Sequence, residues 1–328
     1  MADVASIAQG AQIGVENTGT PGTAVPANKV LNSISITDGV EGTNETFRPD
    51  GHKYAALTIP GKEWTTADYT GKLTYTDFTY LLCSLIRSVT PSTVGPLKKW
   101  VIAPQNAAED THQTYSIEKG GSVLAHSYAY GIFDSLKIDI SRDACDISGT
   151  LFGQLITDAI TMTGTPTAVA LTPVLPRLFD VALDTTAAGL GSTKLLRAFT
   201  GSINLGNLVA PIWPIDSAHS SFASHVEQEP AASITMFVEH DTAGSAFLAL
   251  LRSGDTRFLR LKAVGDTVGG TPSATMLWQF DSAVKVKSLG KHSDREGVYG
   301  WEVTLDIVND DTWGKPYEFT LQNALAAL

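Results

Sequence analysis

The sequence predicts a mainly β protein built as two related β-barrel or β-sandwich domains, each with one short flanking α-helix. Three observations predict it. Many short alternating segments are punctuated by 29 glycines and 15 prolines. Only two stretches carry a helical period, and they match each other. Phe78-x-x-Leu81-Leu82 returns as Phe247-x-x-Leu250-Leu251, 169 positions later. Ser33-Ile34-Ser35-Ile36 returns at the same offset as Ser202-Ile203-Asn204-Leu205. A third match, Phe133-Asp134-Ser135 with Phe280-Asp281-Ser282, has an offset of 147, so the second half lacks about 22 residues between helix and strand. Matches in the same order with the same local pattern indicate an internal duplication.

Composition sets the frame. A chain of 328 residues with a hydrophobic share of 43% has the length of two ordinary domains, each able to bury its own core. The division expected is an N-terminal arm over 1–29, a first β domain over 30–160, a connection over 161–195 and a second β domain over 196–328. Charged residues are sparse at 17%, which leaves a neutral, Ser- and Thr-rich surface that subunit contacts bury at little cost in charge desolvation. The net charge of -11 argues against a protein that grips phosphates, though not against one that lets nucleic acid pass. The first residues lack the basic and apolar regions of a signal peptide, and no run approaches 18 apolar residues, so neither secretion nor a membrane partner is expected. The two cysteines, Cys83 and Cys145, do not form a disulfide framework in a chain this long, and Cys83 reads as a small buried hydrophobe.

Taken in order, residues 1–29 are rich in Gly, Ala, Thr and Pro and show no period. They read as a solvated tail or as an arm lying on a neighbouring subunit, with a turn at Pro21-Gly22. Residues 31–37 alternate as the first strand, and 54–59 form another. Residues 60–71 join aromatic, charged and turn-forming types, as a projecting hairpin or a simple connection. The first helix is expected over 76–87, with Thr76 as N-cap and Asp77 in its first turn, stopped by Pro91 and Pro96. Strands follow at 100–103 and 114–117. Residues 133–141 give the clearest alternation, with Leu136, Ile138 and Ile140 on one face and Lys137, Asp139 and Ser141 on the other. The chain turns at 143–146 and returns over 147–155. Within the weakly patterned 160–195, only 178–183 resembles a strand. The second half repeats the plan with strands at 200–205 and 233–238, separated by a long polar loop, then a helix at 245–252. Its remaining strands are 257–263, 275–280, 281–289, 301–307 and 317–320.

No constellation for catalysis is present. Asp139, Asp143 and Asp146 lack the loop pattern of a calcium site, His219, His225 and His240 lack metal-ligand spacing, and Gly-x-Ser-x-Gly and phosphate-loop motifs are absent. The sequence thus predicts no enzyme, no cofactor and no metal.

Several stretches together resemble a family. They are Gly14-Val15-Glu16-x-x-Gly19-Thr20-Pro21-Gly22-Thr23-Ala24, the run Leu73-Thr74-Tyr75-Thr76-Asp77-Phe78, and Leu136 to Asp143 followed by Ile147 to Gly153. The chain is similar in these to the major tail tube proteins of long, non-contractile-tailed, siphovirus-like bacteriophages. The resemblance spans most of 10–155 and is weaker afterwards. It implies tail-tube-like β domains that form stacked homo-oligomeric rings in the virion, a lumen lined by barrel sheets, transient non-specific passage of DNA, and a tape measure protein and tail terminator as partners. A duplicated chain fits a ring of three copies with pseudo-sixfold symmetry; a hexamer of one tube domain plus an accessory domain is the alternative. A tail terminator, baseplate or receptor-binding module is the competing structural class. Glu16, Pro21, Trp64 and Tyr69 are the expected assembly contacts. Asp139, Glu302 and Asp306 are the expected lumen-facing acids, with Lys285 and Lys287 expected on a different, outer or inter-subunit, face.

Overall fold

The structure is a computed structural model, and it describes residues 7–121, 123–195 and 197–328. The first half runs β1 (Gln12–Val15), β2 (Lys29–Val30), β3 (Ile34–Phe47), β4 (Leu57–Lys72), α1 (Asp77–Leu85), β5 (Ser92–Val94), β6 (Leu97–Ile102), β7 (Tyr115–Gly120), β8 (Ala125–Phe133), β9 (Leu136–Ile140), β10 (Cys145–Gly153), β11 (Thr157–Ile160) and β12 (Thr167–Ala168). The second half runs β13 (Phe179–Asp184), β14 (Ala198–Gly206), β15 (Val209–Ile212), β16 (Ser224–Glu227), β17 (Ala231–Glu239), α2 (Thr242–Ser253), β18 (Arg257–Val268), β19 (Ala274–Leu289), β20 (Ser293–Arg295), β21 (Val298–Ile307) and β22 (Tyr317–Asn323). The fold is mainly β, with two α-helices among the described residues.

Strand pairing repeats between the halves. Strands β3, β4, β10 and β9 lie side by side in that order, and β14, β17, β21 and the C-terminal part of β19 lie in the corresponding order. Behind them, β1 pairs β7, β7 pairs β8 and β8 pairs β11, as β13 pairs β18, β18 pairs β19 and β19 pairs β22. Each helix falls between the second strand of its set and the strands behind. Strand β19 runs unbroken through Phe280-Asp281-Ser282, whereas the first half breaks at Asp134-Ser135 between β8 and β9.

The two strand sets join. β9 pairs antiparallel with β14, which makes one eight-stranded sheet. A single cross-strand row passes through all eight strands: Ile34, Gly71, Ile147, Ile138, Ile203, Ile234, Leu305 and Val286. Its seven apolar side chains are buried on the core face, where each contributes about 1.5–3 kcal/mol. Gly71 has no room for a side chain, because a Cβ would lie 2.2 Å from the carbonyl oxygen of Ser33.

The residues missing from the second half are identified by the first. Between α1 and β7 the chain inserts β5, β6 and a long return loop, whereas only three residues separate α2 from β18. β6 does not stay with its own half. It pairs with β22, placing Ile102 opposite Phe319 and Trp100 opposite Leu321. Asn323 is buried and donates to the Tyr75 carbonyl (2.5 Å) and the Thr79 hydroxyl (2.9 Å) at the start of α1. One hydrophobic core therefore contains residues of both halves.

All nine residues of α1 are buried, so it is not the one-sided helix its period suggests. Thr76 is its N-cap by position but makes no capping hydrogen bond. The Asp77 carboxylate instead accepts from the backbone N–H (2.9 Å) and hydroxyl (2.6 Å) of Ser33, and burial raises its pKa. Helix α2 is half-exposed, with Phe247 and Leu250 inward and Leu251 outward. Asp241 caps it by accepting from Gly244 N–H, and Gly254 ends it in the left-handed conformation. Cys83 and Cys145 are buried free thiols, and burial pushes both pKa values up to about 12.

The N-terminal segment is folded onto its own subunit over the described residues. β1 pairs with both β2 and β7, and Ala8 bridges Gly121. Residues 1–6 of the expected arm lie outside the described residues. β13 lies inside the stretch read as a connection, yet it pairs along its length with β18 of the second half.

Candidate assembly surface

The eight-stranded sheet has one face on the core and one outside. On the outer face the strands present Ser, Thr and Asn with a sparse set of charges. The carboxylates are Asp68, Asp139, Asp146, Glu239, Glu302 and Asp306, against Lys72, Lys137, Lys285 and Lys287, with Arg197 paired to Glu239. Asp139, Glu302 and Asp306 thus share this face, as the alternation requires. Lys285 and Lys287 share it too, which corrects their expected placement elsewhere. Lys285 stands opposite Asp306 in register, and Lys287 Nζ lies 2.9 Å from Asp306 Oδ1. Val284 and Val286 take the core side, so Lys285 and Lys287 alternate onto the outer face, and the bulge after Val286 shifts only the pairing beyond it. Lys137 pairs with Asp139 at 2.7 Å, and Lys72 pairs with Asp146. Three of the four lysines are therefore held by carboxylates, and the face is near charge balance rather than strongly acidic.

The sheet ends in two open edges. β3 pairs only with β4, and the stretch 285–289 of β19 pairs only with β21, among the described residues. The carbonyl of Ile36, on the outer side of β3, accepts a hydrogen bond from Lys119 Nζ. A charged side chain at an edge guards it against strand addition, so a strand that pairs here at Ile34 displaces Lys119 from Ile36. Near it, Asp38 also takes Lys119 (2.9 Å) and His126 (2.5 Å), which hold its carboxyl below the usual range against the opposing effect of burial.

Beyond this edge, β3 and β4 leave the body as one hairpin, paired from Ile34 opposite Gly71 to Phe47 opposite Leu57 with a one-residue register shift between Gly42 and Asn44. Residues 39–63 are almost all exposed, and the hairpin projects about 30 Å at strand rise. It carries Val40, Phe47, Tyr54, Leu57 and Ile59, with Phe47 55% and Tyr54 74% exposed. The matching position in the second half, between β14 and β17, is folded back instead. There β15 and β16 form a small hairpin whose Trp213 and Phe222 join Tyr130, Ile132 and Phe152 in a separate apolar cluster.

The four expected contact residues fall in different places. Trp64 stands at the hairpin root, edge-on to Trp213 with ring centres 5.4 Å apart. Tyr69 is buried; its hydroxyl donates to the Ser135 carbonyl (2.8 Å) and its ring packs edge-on against Phe133. Alternation of Ala67 and Tyr69 against Asp68 and Thr70 was the signal for that. Pro21 is exposed in a turn whose next residue, Gly22, has φ +82°, and Thr23 N–H closes it on the Thr20 carbonyl (3.3 Å). Glu16 is buried and serves its own subunit. Its Oε1 accepts from Ser116 hydroxyl and Tyr130 N–H (both 2.9 Å), and its Oε2 from Gly22 N–H (2.7 Å) and Thr114 hydroxyl (2.8 Å). Four donors on one carboxylate offset its burial. The exposed apolar residues of the hairpin, which the sequence reading did not single out, are the more accessible contacts. Leu57 and Ile59 alternate within the strand expected over 54–59, but Val40 and Phe47 fit no period of two, so the sequence marks the hairpin only in part.

No group of three or more His, Cys, Asp or Glu residues capable of holding a metal ion occurs among the described residues. No helix among them is long and apolar enough to cross a membrane. No family model matches the chain, and no curated protein matches its sequence.

Proposed function

We propose that the chain is a structural protein that closes into rings of three and stacks them into a tube, a conduit for DNA in a phage tail. One observation supports this above the others. The junction of β9 with β14 joins two repeats of one strand set, and the same two kinds of edge stand open at the ends of the sheet. β3 corresponds to β14, and 285–289 corresponds to β9. Repeating the in-chain junction between copies places Val286 opposite Ile34 of the next copy, as Ile138 stands opposite Ile203. Such a head-to-tail contact closes when the rotation per copy divides the circle. Three two-repeat chains give the six-repeat ring that the resemblance implies. The projecting hairpin then has the exposed apolar side chains to engage a stacked ring.

The register sets the test. In-chain, Lys137 stands opposite Asn204, and the corresponding pair across copies is Lys285 with Ser35. Oxidised rods of the double variant Lys285→Cys, Ser35→Cys should run as a covalent trimer, and either single variant should not. Absence of cross-linking in rods, or a ladder reaching six, refutes the arrangement. Assembly that stops at single rings would favour a terminator over a tube subunit.

A further inference from the structure

A cleft of about 390 Å³ opens where the loop after β6 meets the ends of β16, β21 and β22. Both halves build it. Its walls are apolar at Leu85, Ile86, Leu208 and Ile307, and its polar groups are Asp110, His112, Glu227 and Tyr317. Three of these have a buried polar atom with no hydrogen bond among the described residues: Asp110 Oδ1, His112 Nε2 and the Tyr317 hydroxyl. The side chains of Asp110 and His112 are only 5% and 3% exposed, and Tyr317 is 2% exposed.

What these atoms ask for follows from their chemistry. His112 Nδ1 lies 2.7 Å from the Ser84 carbonyl oxygen, which only accepts, so Nδ1 carries the proton. In the neutral ring Nε2 is then a bare acceptor, and it faces Glu227 Oε1 at 3.4 Å. Glu227 Oε1 already accepts from Asp110 N–H (2.5 Å). Asp110 Oδ2 accepts from Gln105 N–H (3.0 Å), which leaves Oδ1 with only Arg87 at 3.7 Å. With His112 neutral, acceptor thus faces acceptor at His112 and Glu227, and among the described residues the carboxylates Asp110, Glu227 and Glu229 outnumber the cation beside them, Arg87. Burial, with the Glu227 charge adding to it, pushes the Asp110 carboxyl pKa up, as expected of a carboxylate short of positive charge.

We infer that this cleft binds an alkylammonium group, with the ammonium among Asp110 Oδ1, His112 Nε2 and Glu227 and the alkyl stem along Leu85, Leu208 and Ile307. A primary ammonium has three donors and no acceptor, matching three acceptors in number and charge. Its stem covers apolar wall while its head meets the polar end. A metal ion fits less well, since no ligand group for one occurs among the described residues. Two sources carry this chemistry: a free amine, or a lysine of a neighbouring copy.

The experiment titrates the unassembled protein calorimetrically with n-butylammonium, with 1-butanol as the uncharged counterpart and tetramethylammonium as a cation without N–H donors. Saturable binding of butylammonium alone is expected. In Glu227→Gln, with folding checked by circular dichroism, affinity should fall about tenfold or more. Equal binding of butanol or tetramethylammonium, no binding of butylammonium, or unchanged affinity in Glu227→Gln overturns the inference. Repeating the titration on assembled particles separates the sources. Lost uptake assigns the cleft to a neighbour's lysine, and retained uptake assigns it to a free amine. The first arm needs no assembly, so it stands apart from the proposed tube.

Discussion

Ile138 and Ile203 face each other across the seam between the two repeats, in the middle of a row that runs through eight strands. If the same seam forms between copies, the outward-facing backbone N–H groups of 34–36 and 285–289, which point away from β4 and β21, gain strand partners on assembly. Amide hydrogen exchange there should slow by about a hundredfold or more from subunit to ring. Equal exchange in both states would count against strand pairing as the ring contact.

Glu16 holds the N-terminal segment by four hydrogen bonds, one of them to Tyr130, whose φ is +59°. Glu16→Ala leaves these donors without their acceptor and should destabilise the subunit by about 3 kcal/mol. Urea denaturation checks this, and a change under about 1 kcal/mol would show that the segment is held by β1 pairing alone.

His225 lies against Tyr130 and His112, and burial lowers its pKa from 6.5 to about 4, with His112 adding to this only when that ring is itself protonated. The unfolded chain therefore binds the extra proton in the window between those values, so stability falls as pH drops from about 6.5 to 4. After a discount for its partly solvated setting, the loss is about 2 kcal/mol. Carboxyls whose pKa values are raised, such as Asp77 and Asp110, act in the opposite sense, so the measurement is the difference from His225→Gln. Stability profiles of the two proteins that run parallel through this window would refute the assignment.

Phe47 and Tyr54 are far out on the hairpin and make no core contact, so Phe47→Ser with Tyr54→Ser should change subunit stability by less than about 0.5 kcal/mol. Rods should nevertheless fail while rings persist. Sedimentation and negative-stain images distinguish the two, and normal rods would remove the hairpin from the stacking contact.

Lys72, Lys137 and Lys287 are each held by one carboxylate on the outer face of the sheet. Changing Asp139, Asp146 and Asp306 to Asn frees all three, and phosphate contact with freed lysines strengthens steeply as salt falls. The triple variant should retain DNA at low salt where the parent does not, and a gel-shift titration against salt tests it. No retention at any salt would mean that this face does not meet DNA.

Much of the local structure was legible. The helices were readable from Phe78, Leu81 and Leu82 and from their repeat at Phe247, Leu250 and Leu251, because packing against a core imposes a period of 3.6. Alternation at 136–140 and 301–307 marked which residues share a face, because side chains change sides at each strand residue. The duplication was visible where those patterns recur. Tertiary structure alone decided the rest. Nothing local in Trp100 and Ile102 says that β6 crosses to β22, since strand partners are chosen by long-range pairing. Lys285 and Lys287 alternate with Val284 and Val286, but their place beside Asp306 is set by the pairing of β19 with β21, which no local pattern registers. The carboxylate of Glu16, polar by type, became a buried anchor because donors from Gly22, Thr114, Ser116 and Tyr130 converge on it, and residues so far apart in sequence meet only in the folded chain.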